Sequence, residues 1–438
     1  MDFRNAIIQM MGLQDVVIED LKIFRRDLRI EIKVRQKREC CYCSKCGLQF
    51  DQVKEWILRE IKAPAMGLFH DVSIKLYQMR GICSECNCTS TAELSWIHPK
   101  FHSFTCGFVE VAGRVMEETT CEATARLTGV SSKVLWQMDQ WRMEYLLQFM
   151  ELPKKLDLSH LCADEVHFIT RRPKRRKSMI EKRWMPEFIT NLVCPSEGKV
   201  LFNAIGRTEA SLDNCLLKLT EEQRSEVQFA CSDLHDAFIN SFSNHCPNAQ
   251  VCIDRFHLVQ KINQAFDQVR KTEFKKARTK KDTFTEEMLR PHRRFVLVSR
   301  EKHLSKSEVH LLDRLRTLNR DIHTAMLLVE QFHAAMDTKK VLSFRKHLIE
   351  WYQIVRQSKL EPFLKIAKTI RRHRERIEAY IESRLTTAVI EGLNNKIKVL
   401  KRMGYGYTNP KSFMLKILQR CGYLNHYSMK TDQLLFKV

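Results

Sequence analysis

Hydrophobic and polar residues alternate along about the first 95 residues of the chain. Two series show the alternation most clearly: Leu28, Ile30, Ile32 and Val34, and then Val72, Ile74 and Leu76. A period of two residues is typical of strands that bury one face of a sheet. Each series leads into a cysteine cluster, at residues 40–46 and 83–88. We therefore predict a mostly β region with cysteines at its strand ends.

The period becomes helical between residues 104 and 147. A first helix is expected to end near Gly129, and the side chain of Ser131 can cap a second helix. Two helices joined by a glycine-containing turn form the pattern of a helix-turn-helix, although an ordinary helical hairpin fits it about equally well. Three basic residues on and around these helices favour contact with DNA: Arg126, Lys133 and Arg142.

After residue 153, short apolar runs alternate with helical ones. The predicted order is three strands, a helix, a strand, a helix, a strand and a long helix, which suits a mixed sheet with helices on its faces. Residues 261–384 are almost wholly helical and highly charged, and a later helix carries Glu391. The predicted fold class is multidomain α+β.

Composition indicates the class of partner. The 438 residues include 74 Lys+Arg against 52 Asp+Glu, the net charge is +22, and the pI is near 9.4. Such an excess of positive charge points to a polyanion, for which DNA and RNA are the usual candidates. No apolar run approaches membrane-spanning length, and the N-terminus lacks the features of a signal peptide. We expect a protein of the reducing cytoplasm with no membrane partner.

Two Cys-x-x-Cys pairs stand among the 16 cysteines: Cys43 with Cys46, and Cys83 with Cys86. A tetrahedral zinc ion needs four ligands on tight turns, and each pair supplies two of them. Structural zinc is therefore favoured over buried thiols. The choice of ligands stays open, because Cys40 also has this spacing with Cys43, and Cys41 and Cys88 lie nearby.

Three acidic residues stand in settings that suit catalytic metal binding: Asp164 and Asp233 at the ends of apolar strand-like runs, and Glu391 on a helix. A carboxylate at a strand end can project into a cleft beside the sheet, where α/β proteins commonly bind ligands. Together the three can hold two divalent ions, which is a way of cutting and joining phosphodiester bonds. Each residue alone has a plainer explanation, since aspartate often occupies turns and a helix glutamate is often a solvated charge.

Basic residues are dense in the runs 171–183 and 270–281 and again around Glu391. Lysine and arginine on helices are usually solvated, but runs this poorly balanced by acid favour contact with phosphates. The predicted DNA-contacting residues are Arg172, Lys174, Arg175 and Arg176 in the first run, and Lys396, Lys398, Lys401 and Arg402 beside Glu391.

Four sequence blocks follow one another in a recognisable order. They are ADE at 163–165, SDLHDAF at 232–238, IDRFHLV at 253–259, and VIEGLNNKIKVLKRMGYGYTNPKSF at 389–413. With the preceding cysteine pairs and helix-turn-helix, they resemble the ISL-type family of bacterial insertion-sequence transposases over nearly the whole chain. Members of that family are DDE enzymes with an RNase H-like catalytic fold.

The resemblance implies a catalytic triad of Asp164, Asp233 and Glu391. These residues would bind two Mg²⁺ or Mn²⁺ ions per active site, about 4 Å apart. An Asp-x-x-His signature places Asp254 and His257 in or beside the site, although a helix-start histidine with a satisfied ring explains His257 equally well. The implied reaction cuts DNA and joins strands without a covalent protein–DNA intermediate.

The resemblance also implies a domain order. Residues 1–95 would bind structural Zn²⁺, and 96–150 would form the helix-turn-helix. An RNase H-like α/β domain with a mixed sheet would comprise 151–260 and 385–438, interrupted by an all-helical insertion at 261–384. The implied partners are double-stranded DNA, at terminal inverted repeats and at the target, and further copies of the chain in a homodimer or larger assembly. Such a protein would work in the bacterial cytoplasm at the nucleoid.

Three other functions fit parts of the pattern. A transposase-derived regulator would bind DNA in a sequence-specific way without cutting it, and this is the leading alternative. A structure-selective nuclease with the same fold would lack strand transfer and any dependence on terminal sequence. A tyrosine recombinase would use Tyr405 or Tyr407 as its nucleophile, but the arginine and histidine residues that such enzymes need are not evident.

Overall fold

The structure divides the chain into two compact units, residues 1–152 with 399–438, and residues 153–398. It is a computed structural model, and it describes residues 3–37, 41–50, 52–168, 188–232, 236–253, 255–291, 305–384, 388–404 and 406–424. The segment 385–438, expected in the α/β domain, is shared between the two units. The other expected domain boundaries remain predictions.

The first unit opens with helix α1 (Phe3–Met11), which the sequence did not predict, and continues as a β region. Its strands are β1 (Val16–Phe24), β2 (Arg29–Gln36), β3 (Cys41–Tyr42), β4 (Gln49–Phe50), β5 (Val53–Ala63), β6 (Asp71–Ile82) and β7 (Thr89–Thr91). The main sheet has the order β1-β2-β6-β5, with β7 also on β6, and β3 pairs with β4 separately. Ile32 and Ile74 are fully buried, which confirms the predicted alternation within the strands. Leu28, the first residue of the predicted series, instead lies in the turn before β2 and is exposed.

Three helices follow in this unit: α2 (Cys106–Glu118), α3 (Cys121–Thr128) and α4 (Ser132–Leu147). The predicted turn is confirmed. Gly129 ends α3 with a φ of 67°, a conformation that residues with a side chain rarely adopt. The hydroxyl of Ser131 accepts a hydrogen bond from the backbone N–H of Val134 and caps α4. Leu135 and Met138 are buried on one face of that helix.

The second unit contains the predicted mixed sheet. Its strands are β8 (His160–His167), β9 (Phe188–Cys194), β10 (Lys199–Ile205), β11 (Phe229–Ser232) and β12 (Gln250–Ile253). Their order is β10-β9-β8-β11-β12, in which β10, β9 and β8 are antiparallel neighbours and β8, β11 and β12 run parallel. The connecting helices are α5 (Glu209–Leu216), the short α6 (Glu221–Ser225), and α7 (Asp236–His245).

The rest of this unit is helical wherever it is described, as the sequence predicted. Its helices are α8 (Arg255–Lys280), α9 (Thr283–Met288), α10 (Lys306–Leu318), α11 (Arg320–Asp337), α12 (Val341–Ser358), α13 (Glu361–Arg372) and α14 (Arg374–Ser383). In their core the rings of Phe332 and Trp351 lie 5.5 Å apart, and the indole N–H of Trp351 donates to the carbonyl of Leu328 at 2.9 Å. The buried indole is therefore fully hydrogen-bonded, as such groups usually are.

Two helices end the described chain, α15 (Ala388–Met403) and α16 (Pro410–Cys421). Within the first unit, α16 is bonded to α4 by buried polar groups. The ammonium of Lys416 donates to the carboxylate of Asp139 at 2.6 Å and to the carbonyl of Met116 at 3.0 Å, and the amide of Gln419 donates to Asp139 at 3.1 Å. None of the described helices has the length and apolar character that crossing a membrane requires.

Candidate functional site

Asp164 lies on β8 and faces α15. Its Oδ2 accepts a hydrogen bond of 2.5 Å from Nδ2 of Asn394, and its Oδ1 accepts one of 2.8 Å from the backbone N–H of Glu165. Successive residues of a strand point to opposite faces. Glu165 accordingly turns away and pairs with Arg207 at 3.0 Å. The strand therefore points the Asp164 carboxylate towards α15, while Arg207 neutralises the Glu165 carboxylate on the opposite face of the sheet.

Glu391 lies on the same helix as Asn394. Residues three apart on a helix share a face, one turn from each other. The hydrogen bond from Asn394 to Asp164 therefore brings the helix face that bears Glu391 to β8, across 230 positions of sequence. Glu391 is exposed in the first turn of α15, where the helix dipole favours a carboxylate. Leu393 and Ile397 are buried and anchor the helix.

The two remaining acidic predictions, Asp233 and Asp254, lie outside the described residues. They are the residues next in the chain after Ser232, where β11 ends, and after Ile253, where β12 ends. Ser232 and Ile253 pair with each other, and β11 pairs with β8 on its other side. Because the three strands are parallel, their carboxyl ends point to one edge of the sheet. Asp164 lies inside β8, three residues before the strand ends at His167, and not at the strand end as predicted. The pairing of Cys231 with Cys162 nevertheless puts Asp164 one position beyond the level of Ser232, where β11 ends.

His257 lies in the first turn of α8, close after the end of β12. Its half-buried ring stands edge-on to that of Phe256, with 5.7 Å between the ring centroids. The neighbouring Arg255 forms an ion pair of 2.5 Å with Asp337 at the end of α11. This pair fixes the start of α8 to the helical region, while the catalytic role of His257 stays a prediction.

Asn394 contacts the candidate site but was not among the predicted site residues. Its position three residues after Glu391 was the available signal, since that spacing puts both side chains on one helix face. The oxygen atoms of Asp164 and Glu391 are the hard ligands that Mg²⁺ prefers. The described residues therefore fit a divalent-cation site in the chemistry of their donors.

The second candidate site is a cluster of four cysteines in the first unit: Cys43, Cys46, Cys83 and Cys86. All four sulfur atoms lie within 4.8 Å of one another, with 3.2 Å between Cys43 and Cys86 and 3.6 Å between Cys46 and Cys83. A tetrahedral ion with bonds of about 2.3 Å to sulfur needs sulfur–sulfur distances of about 3.8 Å. The geometry fits zinc at the four predicted cysteines. Of the alternatives, Cys41 and Cys88 pack in the surrounding core, and Cys40 lies outside the described residues.

Backbone N–H groups favour ionisation of the first cysteine in each pair. Hydrogen bonds from the backbone of Cys46 and Lys45 lower the pKa of the Cys43 thiol to about 6. Those from Cys86 and Glu85 lower the pKa of Cys83. The pKa of Cys86 is raised, first of all by its hydrogen bond with Cys43. The turns thus favour the thiolate form of Cys43 and Cys83, and a divalent cation among the four would favour ionisation of the others.

The structure separates the three basic residues predicted around the helix-turn-helix. Arg126 on α3 and Lys133 on α4 are exposed. Arg142 has only 1% of its side chain exposed, and it pairs with Glu110 at 2.9 Å and Glu117 at 2.7 Å on α2. The prediction that Arg142 contacts DNA is therefore wrong, because its guanidinium is buried between two carboxylates and holds α4 against α2.

The other basic predictions lie on α15 or outside the described residues. Lys396, Lys398 and Arg402 are exposed on α15, and Lys398 follows Asn394 by four residues, on the same face. Burial lowers the pKa of Lys401, which is only partly exposed. The predicted contacts of the first basic run lie outside the described residues: Arg172, Lys174, Arg175 and Arg176.

Comparison with known families decides the identity of the chain. Residues 177–417, more than half of its length, match the sequence profile of an ISL3-type DDE family described as transposase. The chain belongs to the ISL3-type family of transposases. The resemblance read from the four sequence blocks is thereby confirmed, and so is the predicted function of a DNA transposase.

Two curated relatives and one solved structure are similar to this transposase. The transposase for insertion sequence element IS1001 of Bordetella parapertussis is 22% identical over 390 residues, 89% of this chain and 90% of the relative. That for IS1557 of Mycobacterium tuberculosis is 24% identical over 245 residues, 52% and 55% of the two chains. The Drosophila P element transposase strand transfer complex aligns with a TM-score of 0.39 and 11% identity, over 74% of this chain and 92% of the other. A TM-score of this size does not establish a shared fold.

Proposed function

We propose that this transposase cuts DNA at the terminal inverted repeats of its own insertion sequence and joins the ends to target DNA, using Asp164, Asp233 and Glu391 as metal-binding residues. The observation that carries the proposal is the hydrogen bond between Asn394 and Asp164, because it connects the helix of Glu391 to the sheet. Asp164 thus meets the helix face that bears Glu391, and we infer that Asp233, the next residue in the chain after β11, joins them.

The order of strands supports an RNase H-like fold for the second unit. Three antiparallel neighbours, β10, β9 and β8, are followed by the parallel β11 and β12. In this arrangement Asp164 lies on the central strand β8, and Asp233 and Asp254 are the next residues in the chain after β11 and β12, the two strands that run parallel to it. Ligands of open α/β sheets bind at the carboxyl ends of such strands.

Two Mg²⁺ or Mn²⁺ ions bound to the triad would supply a nucleophile activated at neutral pH and stabilisation of the leaving oxygen. Residues of the chain itself orient the metal-binding carboxylates and the DNA. Asn394 fixes Oδ2 of Asp164, and Arg207 neutralises Glu165 on the opposite face. Lys396 and Lys398 project from the same helix as Glu391 and hold the DNA phosphates beside the cut.

Recognition of the DNA ends is assigned to the first unit. The cysteine cluster binds a structural Zn²⁺, and α3 and α4 form a helix-turn-helix in which Arg126 and Lys133 contact DNA. Arg172, Lys174, Arg175 and Arg176 contact phosphates in the second unit. The active form is a homodimer or larger assembly on double-stranded DNA, working in the bacterial cytoplasm at the nucleoid.

A cleavage and joining assay tests the proposal. Labelled DNA with the sequences that flank this gene is incubated with Mg²⁺ or Mn²⁺ and either the wild type, Asp164→Asn or Asp233→Ala. Nicking at a defined terminus and joined products are expected for the wild type alone. Sequence-specific binding without any cutting, equal in all three proteins, would instead establish a transposase-derived regulator. Cutting that ignores the terminal sequence and yields no joined product would establish a nuclease.

A further inference from the structure

Asn191 on β9 is the direct cross-strand partner of Asp164 on β8. Directly paired residues of neighbouring strands project to the same face of the sheet, with about 5 Å between their Cβ atoms. On the next strand Asn203 pairs with Asn191 in turn, so that three polar residues form one row across β8, β9 and β10. Asn191 and Asn203 are 1% and 4% exposed.

The amide of Asn191 lacks hydrogen-bond partners among the residues that the structure describes, at both its Oδ1 and its Nδ2. A buried polar group without a partner costs about 1–3 kcal/mol, so such groups usually serve a ligand, a water or a catalytic role. The neighbouring Thr190 shows the usual solution. Its hydroxyl is equally buried, faces the other side of the sheet, and donates to the carbonyl of Gly206 at 2.8 Å.

We propose that Asn191 is a positioning residue of the divalent-cation site, where its Oδ1 accepts a hydrogen bond from a water of the hydrated ion bound by Asp164. This inference rests on the proposed function. Mg²⁺ keeps several of its waters when it binds a protein, and those waters need acceptors. An amide also suits the position better than a carboxylate, since a second negative charge directly opposite Asp164 would repel it.

The test uses Mn²⁺ alone as the probe, with the full-length, zinc-loaded protein and no DNA. Free Mn²⁺ is measured by electron paramagnetic resonance, and thermal unfolding is measured without Mn²⁺. Asn191→Leu keeps the branched outline of the side chain, with two somewhat larger methyl groups, and removes both polar atoms. Thr190→Val is the matched control on the same strand and the opposite face, and Asp164→Asn removes the proposed ligand.

For Asn191→Leu we expect Mn²⁺ affinity to fall about tenfold or more, the usual effect of removing a group that supports metal ligands. Its unfolding temperature without Mn²⁺ should equal or exceed that of the wild type, because the unpaired amide is gone. Thr190→Val should show the reverse: lower stability with unchanged Mn²⁺ affinity.

Two results would overturn the inference. The first is that Asn191→Leu binds Mn²⁺ as tightly as the wild type while Asp164→Asn loses Mn²⁺ affinity. That result would contradict the role of Asn191 and leave the proposed function intact. The second is a loss of stability in Asn191→Leu as large as in Thr190→Val, which would assign the amide a structural partner. If Asp164→Asn binds Mn²⁺ as tightly as the wild type, Asp164 is not a metal ligand, and the proposed function is contradicted as well. If Asn191→Leu does not fold, Asn191→Ala provides the same comparison of Mn²⁺ affinity.

Discussion

The cysteine cluster takes its four sulfurs from two short turns. The carboxylate site, formed by Asp164 and the helix face of Asn394 and Glu391, instead joins segments 230 residues apart in the sequence. In the cluster, peptide N–H groups of the same turns already stabilise thiolates on Cys43 and Cys83. At the carboxylate site, the orienting group of Asp164 comes from a distant helix. A closed site of local origin suits a structural ion, and a site assembled from distant elements can leave positions open for a substrate.

Two sets of buried polar groups, one from each unit, differ in the same way. In the first unit, Arg142 and Lys416 are buried with carboxylate partners at 2.6–2.9 Å. In the second unit, the amide of Asn191 lacks such partners among the described residues. Buried polar groups with hydrogen-bond partners hold helices in place, whereas a buried group without such partners indicates a place where a water, an ion or a ligand binds.

Removal of zinc is expected to have the largest effect and to be confined to the cluster. Cys83→Ser should lose the metal and unfold the surrounding β region, since structural zinc contributes about 10 kcal/mol in small zinc domains at pH 7. Zinc content by elemental analysis and limited proteolysis measure the result. Cys88→Ser is the control, and loss of zinc in that variant would show that the ligands are chosen differently.

Asp164→Asn should break only the carboxylate site. We expect DNA cleavage to fall about a thousandfold or more, because losing a metal ligand removes about 4 kcal/mol of transition-state stabilisation. Zinc content and the far-ultraviolet circular dichroism spectrum should not change. Glu222→Gln on the exposed α6 is the matched charge control, and an equal loss of cleavage there would show that the effect is one of overall charge.

Arg142→Met tests the contrast between buried and exposed basic residues. It leaves Glu110 and Glu117 without their partner, so the free energy of unfolding should fall by about 3 kcal/mol. Arg126→Met on the exposed surface of α3 should leave stability unchanged and weaken DNA binding. Urea unfolding and a binding titration measure the pair. Equal stability of the two variants would contradict the structural role of Arg142.

A smaller effect concerns pH. Burial first of all lowers the pKa of His98 in the first unit to about 4, from 6.5. The folded state therefore binds fewer protons than the unfolded state in this range, so stability is fully present above pH 6.5 and is lost as the pH falls towards 4. The loss should reach about 3 kcal/mol at most.

His98→Gln removes this titration and should flatten the stability profile between pH 6.5 and 4. Urea unfolding of zinc-saturated protein, followed by tryptophan fluorescence, compares the two profiles. His102, which is exposed, provides the control: His102→Gln should keep the wild-type slope. If the stability of the wild type and that of His98→Gln change equally with pH in this range, other groups cause the pH dependence.

Much of this architecture follows from short-range sequence pattern. The strands near Ile32 and Ile74, the turn at Gly129 and the four clustered cysteines were predictable because alternation, capping and Cys-x-x-Cys spacing act within a few residues. Arg142 was assigned wrongly because its charge suggested DNA, whereas its burial depends on how α4 packs on α2. Asn191 could not be found locally, since its importance comes from pairing with Asp164 across two strands. For Asn394 the spacing from Glu391 was a local signal, but its contact with Asp164 depends on packing across 230 residues.

The bond between α16 and α4 also bears on the order of synthesis. A ribosome makes α4, then all of residues 153–398, and only afterwards Lys416 and Gln419, the partners of Asp139. Until then a buried aspartate on the proposed DNA-reading helix lacks its counter-charge. We expect nascent or prematurely terminated chains to hold this helix poorly, so that incomplete products compete weakly with finished transposase for the ends of the element.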